Sequence, residues 1–398
     1  MRTRSLGFTL FAGLTLVVSA CSAAATPVPA TSAPATQAPA TASPAASASA
    51  SESAPASVPA SQWKVGVVTD VGTLDDKNFN QYSFEGAENG AHDIGAASPP
   101  AIVTKDASEY AANIQKFVDQ KCNVIVTVGS LLGDATAKAA KQNPDIWFVG
   151  VDQDECINAT GDVDTTFKCD GNANFATLLP KYYELNFAED QVGYLAGMVA
   201  ASITKSNVVG AVGGINLVPP VVRYLQGYEL GAKAINPNIT VKTTYASSSD
   251  FTKAFNDPAF GKTFSLQFLK ANKGMDVLFQ VAGKTGNGVL DAACAANIYG
   301  IGVDVDQYVS YPAADPCIVV SAEKHLSQAV QEAIDNIGAG KATPGKHPYD
   351  AKNKGIGLSD YHDKASLIPA DLAAKLQAAL DGMAAGTVTT CPANCGQP

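Results

Sequence analysis

Two α/β lobes, each an open parallel sheet covered by helices, are predicted from three observations. Short apolar runs alternate with stretches of helical periodicity through most of the chain after Trp63. The alternation comes in two series, separated by an irregular stretch rich in Asp, Asn and Gly around Cys156 and Cys169. Several apolar runs end on Gly, Asp or Gln at the point where a helix begins. A strand followed by a helix and another strand calls for parallel pairing, with right-handed crossovers placing helices on both faces. Two such sheets side by side leave a cleft to which both lobes contribute.

In the first series the runs at 65–69, 101–104, 123–129 and 146–151 read as strands, with helices over 78–93, 108–120 and 132–142. The second series has strands over 207–213, 239–245, 276–282, 298–303 and 317–321. Its helices are expected over 188–203, 220–235, 259–272, 286–296, 323–338 and 369–384, and the chain should pass between lobes near 180–187. A chain of 398 residues, 46% hydrophobic and 16% charged, has material for two such cores. Its net charge of −10 argues against nucleic acid or an anionic membrane surface as a direct partner.

The N-terminus sets the compartment. Arg2 and Arg4 precede an apolar stretch from Leu6 to Val18, and Val18-Ser19-Ala20-Cys21 has the form of a bacterial lipobox. Residues 1–21 are therefore expected to be a signal peptide, with Cys21 lipidated and anchoring the protein to the outer face of the cell membrane. Residues 22–61 are almost wholly Ala, Pro, Ser and Thr, and cannot bury enough apolar surface to offset chain entropy. They read as a disordered tether, reaching up to ~3.1 Å per residue where proline keeps them extended. Of the eight cysteines, seven remain after Cys21, in an oxidising compartment. The pairing expected is Cys156–Cys169, Cys294–Cys317 and Cys391–Cys395, with Cys122 free in its strand, although order alone does not fix connectivity. The CPANC segment at 391–395 lacks a second Cys or His pair, so no metal is expected.

The stretch at 70–81, DVGTLDDKNFNQ, joins the first strand to the first helix and sets Asp70, Asp75, Asp76, Asn78 and Asn80 around Phe79. Similar punctuation recurs at Gly129-Ser130, Asp152-Gln153, Gly283-Lys284 and Asp304-Val305-Asp306. In open α/β sheets the carboxyl ends of strands and the following helix N-termini face one crevice, where short polar side chains meet ligands. Asp and Asn fix hydroxyls or amides and Phe79 offers a flat face, a mixture suited to a small polar ligand with an aromatic part. The same residues also read as a capped helix start with Phe79 in the core. Asp75 and Asp76 are neighbours whose side chains point apart, so they are assigned to turn and cap. GKTGNG at 283–288 is no phosphate loop, because its Lys follows the first Gly rather than the last. His92, His325, His347 and His362 stand in no nucleophile pattern, and neither G-x-S-x-G nor H-E-x-x-H occurs. No enzymatic activity and no cofactor are expected.

Six segments resemble the basic membrane protein family of bacterial substrate-binding lipoproteins, whose members include purine nucleoside receptors of ABC transporters. They are VTDVGTLDDKNFNQYSFEG at 68–86, VGYLAGMVAA at 192–201, the glycines and proline from Gly213 through Pro219 and Gly227 to Gly231, DVLFQVAGKTGNGVLDAA at 276–293, IGVDVDQ at 301–307 and SAEKHLSQAV at 321–330. The resemblance implies the type I periplasmic-binding-protein architecture: two doubly wound parallel-sheet lobes joined by three crossings. It divides the chain into residues 62–187 plus 314–345, residues 188–313 plus 346–386, and a tail over 387–398. It also implies a monomer that hands a nucleoside to an ABC permease.

On that resemblance the base stacks on Phe79 and is held by Asp70 and Asp152, while Asp304 and Lys324 take the ribose hydroxyls. Asn80, Gln153 and Gly283 complete the expected ligand set, with Phe279 as a second aromatic. Val71 stands where nucleoside-binding relatives can carry Asn, and Tyr224 where many carry Phe. Two other readings remain: the same fold binding a sugar or signal molecule, and a calcium-dependent nucleoside hydrolase using Asp70, Asp75 and Asp76.

Overall fold

The computed structural model describes residues 62–397; the expected signal peptide, Cys21 and the whole of the tether lie outside them. The first series forms β1 (Val65–Val71), α1 (Phe79–Asp93), β2 (Ala101–Thr104), α2 (Tyr110–Asp119), β3 (Val124–Val128), α3 (Gly133–Gln142), β4 (Trp147–Val151), α4 (Phe175–Leu178) and β5 (Tyr182–Phe187). The second forms α5 (Glu189–Ile203), β6 (Val208–Gly213), α6 (Pro219–Ile235), β7 (Thr240–Tyr245), α7 (Phe251–Phe255), α8 (Pro258–Ala271), β8 (Val277–Val281), α9 (Gly283–Ala295), β9 (Tyr299–Asp304), α10 (Gln307–Ser310) and β10 (Ile318–Lys324). The chain closes with α11 (Leu326–Gly338), β11 (Gly345–Tyr349), β12 (Ile356–Leu358) and α12 (Leu372–Ala384).

Two six-stranded sheets result, ordered β11-β5-β4-β3-β1-β2 and β12-β10-β9-β8-β6-β7. The first is parallel throughout; the second is parallel except for its edge strand β12, which runs against β10. Central strands such as β3 (VIVTV) and β8 (VLFQV) are buried along their whole length, because helices cover both faces. Local signals set several helix starts. Asp257 accepts the Phe260 N–H at the head of α8, whose first residue is Pro258, and Pro219 and Pro220 open α6.

The chain passes between lobes three times: after Phe187, after Lys324, and between Tyr349 and Ile356. Two strands differ from expectation. β10, assigned with 314–345 to the first lobe, pairs with β9 in the second sheet, with Ala322 opposite Val303, and only α11 beyond it packs on the first lobe against α1. β11, assigned to the second lobe, lies beside β5 in the first sheet, leaving β12 alone to return. The reason is that an apolar run shows that a strand exists but not which edge it will join. Disulfides join Cys156 to Cys169, Cys294 to Cys317 and Cys391 to Cys395, and Cys122 is buried and unpaired.

Helices α5 and α6 approach backbone to backbone. Each carries glycines four apart, Gly193 and Gly197 on one and Gly227 and Gly231 on the other. A Cβ on Gly231 would lie 1.9 Å from the Tyr194 carbonyl oxygen, and one on Gly197 2.1 Å from that of Tyr228. This contact fixes where the first turns of both helices sit. Gly231→Ala should therefore destabilise the protein by about 1–3 kcal/mol, by forcing the helices apart. A lower urea midpoint at unchanged slope is the expected reading; a wild-type midpoint would contradict the close packing.

Candidate ligand-binding site

In both sheets the first strand lies between the second and third, so winding reverses between β1 and β3 and between β6 and β8. Crevices open beyond the strand ends at such points. Here the two crevices face each other around a space of about 620 Å³, partly open to solvent.

The first lobe supplies a polar wall with one aromatic. Asp70 and Val71 end β1, Gly129 and Ser130 follow β3, and Asp152 follows β4. Asp70 lies so close over Gly129 that a Cβ there would meet its carboxylate at 2.2 Å. Asp76 organises the turn: its buried carboxylate accepts the N–H groups of Asn78, Asn80 and Gln81 at 2.9, 2.8 and 3.1 Å. Capping satisfies the orphan donors of α1 and fixes its first turn, which presents half-buried Phe79 and buried Asn80 to the cavity. The second lobe supplies an apolar wall opposite: Val218, Pro220 and Val221 at the head of α6, Phe255, and Val281 at the end of β8.

Charge is concentrated where the lobes meet. The Lys324 ammonium ends β10, almost fully buried, 2.7 Å from Asp152 of the first lobe, 3.5 Å from Asp304 of the second and 3.6 Å from Glu189 at the start of α5. Arg223 holds Glu189 from the other side at 2.7 Å. The rings of Phe79, Phe187 and Tyr224 surround the ammonium at 4.9, 5.4 and 5.7 Å, which favours the cation through their quadrupoles. Asp152 and Asp304 both have left-handed backbones, with φ of 58° and 64°. Asp tolerates this conformation better than bulkier residues do.

Three carboxylates here face two cations, and burial shifts the acidity of two of them, Asp152 and Asp304. Asp152 is raised to about 7: burial pushes it up most, Lys324 pulls it down, and Glu189 and Asp304 push it up. Burial also raises Asp304 and, with help from Asp76 and Asp152, raises Asp70 well above the usual carboxylate range. Burial opposes the charge on Lys324, yet Asp152, Asp304 and Glu189 together hold it above its ordinary value. Asp152 Oδ1 and Asn80 Oδ1 are buried without a hydrogen-bond partner among the described residues. A cavity with these groups can accept hydrogen bonds from hydroxyls and amides and can cover a flat apolar face.

Of the residues expected at a site, Asp70, Phe79, Asn80, Asp152, Gly283, Asp304 and Lys324 line this cavity. Two do not. Phe279 is fully buried in the second lobe between Tyr224 and Tyr228 of α6, because it lies inside β8, and of its face only Val281, at the end of the strand, reaches the cavity. Gln153 turns back into the first lobe, donating to the Thr127 and Gly129 carbonyls and accepting from the Tyr182 hydroxyl. Asp75 is exposed and pairs with Lys77, and the Asp76 oxygens are engaged in the cap, so Asp70, Asp75 and Asp76 do not gather as a calcium cluster would require. Sequence reading missed Phe255, Glu189 and Arg223. An acid in the first turn of a helix, such as Glu189, reads as dipole compensation, and nothing in the pattern gives its partners away.

Residues 63–372 match a family described as ABC transporter substrate-binding protein, PnrA-like. An "ABC transporter nucleoside-binding protein BmpA" of Lactococcus lactis is 31% identical over 313 residues, covering 74% of this chain and 81% of its own. A "CD4+ T-cell-stimulating antigen" of Listeria monocytogenes is 30% identical, over 77% of this chain and 83% of its own. Among solved structures, an ABC transporter solute-binding protein of Aeropyrum pernix superposes with a TM-score of 0.67 at 22% identity, covering 82% of this chain and 92% of that one.

Burial also raises Glu155 to about 7, Glu184 to about 8 and Glu323 to about 7. Each of these groups, like Asp152, binds its proton more tightly folded than unfolded. The stability they contribute is complete below the ordinary carboxylate range and is lost as pH rises through their folded values. The melting temperature should therefore fall between about pH 5 and about pH 8, and Glu184→Gln should shrink that fall. A melting temperature rising across the same interval would contradict the assignment.

Proposed function

Because the chain belongs to the PnrA-like family of ABC transporter substrate-binding proteins, which take up a small molecule outside the cytoplasm and deliver it to an ABC permease, we propose that its cargo is a purine nucleoside. The family and fold are those of a solute-binding protein rather than an enzyme. The observation that carries the proposal is the pairing of two chemistries in one cavity. A flat aromatic face, Phe79, stands beside Asp70 and Asn80, and two carboxylates linked by one ammonium stand close by.

The base lies between Phe79 and the apolar wall of Val218, Val221, Val281 and Phe255, with Asp70 and Asn80 at its polar edge. Stacking on an aromatic contributes ~1–3 kcal/mol per base by analogy with nucleic-acid sites. The ribose diol donates to Asp152 and Asp304 while Lys324 donates to the sugar oxygens. Bonds to charged groups of this kind are stronger than neutral ones. Since Asp152 comes from the first lobe and Asp304 from the second, a bound diol also ties the lobes together. Cys21 carries the lipid that keeps the receptor at the membrane, and residues 22–61 let the lobes reach the permease. Loss of labelled fatty-acid incorporation in Cys21→Ala is the expected sign of that anchor; persistent labelling would refute it.

Calorimetry with inosine, guanosine, adenosine, ribose and glucose tests the cargo. A purine nucleoside should bind at micromolar concentration or below, and Phe79→Ala should weaken it by about tenfold or more. Binding of free sugars alone, or full nucleoside affinity in Phe79→Ala, would overturn the proposal in favour of a sugar or signal-molecule receptor.

A further inference from the structure

The glycine-rich segment GKTGNG at 283–288 is only partly accounted for by the cavity, which it touches through Gly283. Its Asn287, almost fully buried and not a cavity residue, donates from Nδ2 to the Asp76 carbonyl of the first lobe at 3.0 Å. We propose that Asn287 is a positioning residue for the site: it latches the second lobe onto the turn that carries Asp76, Phe79 and Asn80, and so slows the release of bound cargo.

The direction of the Asn287 amide is fixed from inside the second lobe. The Ala282 N–H can only donate, so Gln280 Oε1 accepts it at 3.0 Å, and Gln280 must offer Nε2 to its neighbour. That neighbour is Gln307 Oε1, which also accepts the Val303 N–H at 3.0 Å. Gln307 then has only Nε2 left, and donates it to Asn287 Oδ1 at 3.1 Å. Asn287 in turn presents only a donor to the other lobe. Gln280 and Gln307 are fully buried, so neither amide can exchange partners with water. The glycines make room for this relay: a Cβ on Gly286 would lie 1.6 Å from Gln280 Oε1.

The acceptor is matched to the task. Asp76 holds the first turn of α1 through its side chain and meets the second lobe through its carbonyl, so one residue links the latch to the cavity wall. Two outer contacts reach the same turn: the Ser310 hydroxyl donates to the Lys77 carbonyl at 2.8 Å, and the Lys284 ammonium to the Thr73 hydroxyl at 3.3 Å. All three donors belong to the second lobe and all three acceptors to residues 73–77. A ligand that draws the lobes together engages the latch, and an engaged latch holds the ligand.

This inference rests on the reading that the cleft binds cargo between the lobes, and two measurements separate it from the choice of cargo. In stopped-flow binding of inosine, Asn287→Ala should raise the dissociation rate about 3- to 10-fold, the value of one ordinary hydrogen bond, with the association rate changed by less than about twofold. Asn287→Asp, which sets an acceptor against the Asp76 carbonyl, should raise it further, and the exposed-side variant Ser310→Ala should act in the same direction should the buried variants not fold. A wild-type dissociation rate in folded Asn287→Ala and Asn287→Asp would overturn the latch. Without any ligand, hydrogen exchange across residues 73–81 should be faster in Asn287→Asp than in the wild type. If inosine does not bind at all, the proposed cargo fails while this exchange still decides the latch, and equal exchange in both proteins would refute it.

Discussion

One buried ammonium sets the terms for the rest of the molecule. Lys324 ends a strand of the second sheet, yet its nearest carboxylate, Asp152, directly follows a strand of the first. Removing such a charge from water is tolerable only if its partners are all in place, and stripping one partner from a buried pair typically costs about 3–5 kcal/mol. The lobes are therefore held in register at the point where the cavity is lined by Asp152, Asp304 and Phe79. Glycines between α5 and α6 contribute from a distance, because their close approach delivers Glu189, Arg223 and Tyr224 to the same cluster.

The charge balance bears on what the cavity accepts. Burial raises the pKa values of Asp70, Asp152 and Asp304 because charge is costly in this cavity, and with only Lys324 as a cation in its lining an added anion would be poorly solvated there. An uncharged ligand rich in hydroxyl and N–H donors meets acceptors instead. Family membership carries the general role, capture and delivery of a solute; the proposal that the solute is a nucleoside rests on the aromatic face beside the two carboxylates.

Local grammar made much of this legible in advance, and non-local pairing hid the remainder. Asp70, Asp152 and Asp304 could be picked out because a polar residue just past an apolar run marks a strand end, and strand ends of parallel sheets converge. The strand β5 escaped notice because Glu184 interrupts its apolar run, although that carboxylate is fully buried. The sheet membership of β10 and β11 depends on which edge is free once the other strands have paired, which no window of sequence contains. Phe279, the second aromatic expected from the sequence, sits in a strand leading into the site. Its place inside the strand buries it against Tyr224 and Tyr228, while Phe255, at the end of the short helix α7, reaches the cavity. Asn287 was visible only as part of a glycine-rich turn, since its partner lies 211 positions away.

The central claim is that both lobes grip a nucleoside, and its most direct test is the identity of what the protein selects from a mixture. Equilibrium dialysis of the intact chain against equimolar nucleosides, pentoses and hexoses, followed by mass spectrometry of the ligand released on denaturation, should return a purine nucleoside at close to one equivalent. Recovery of a free sugar in its place would contradict the account.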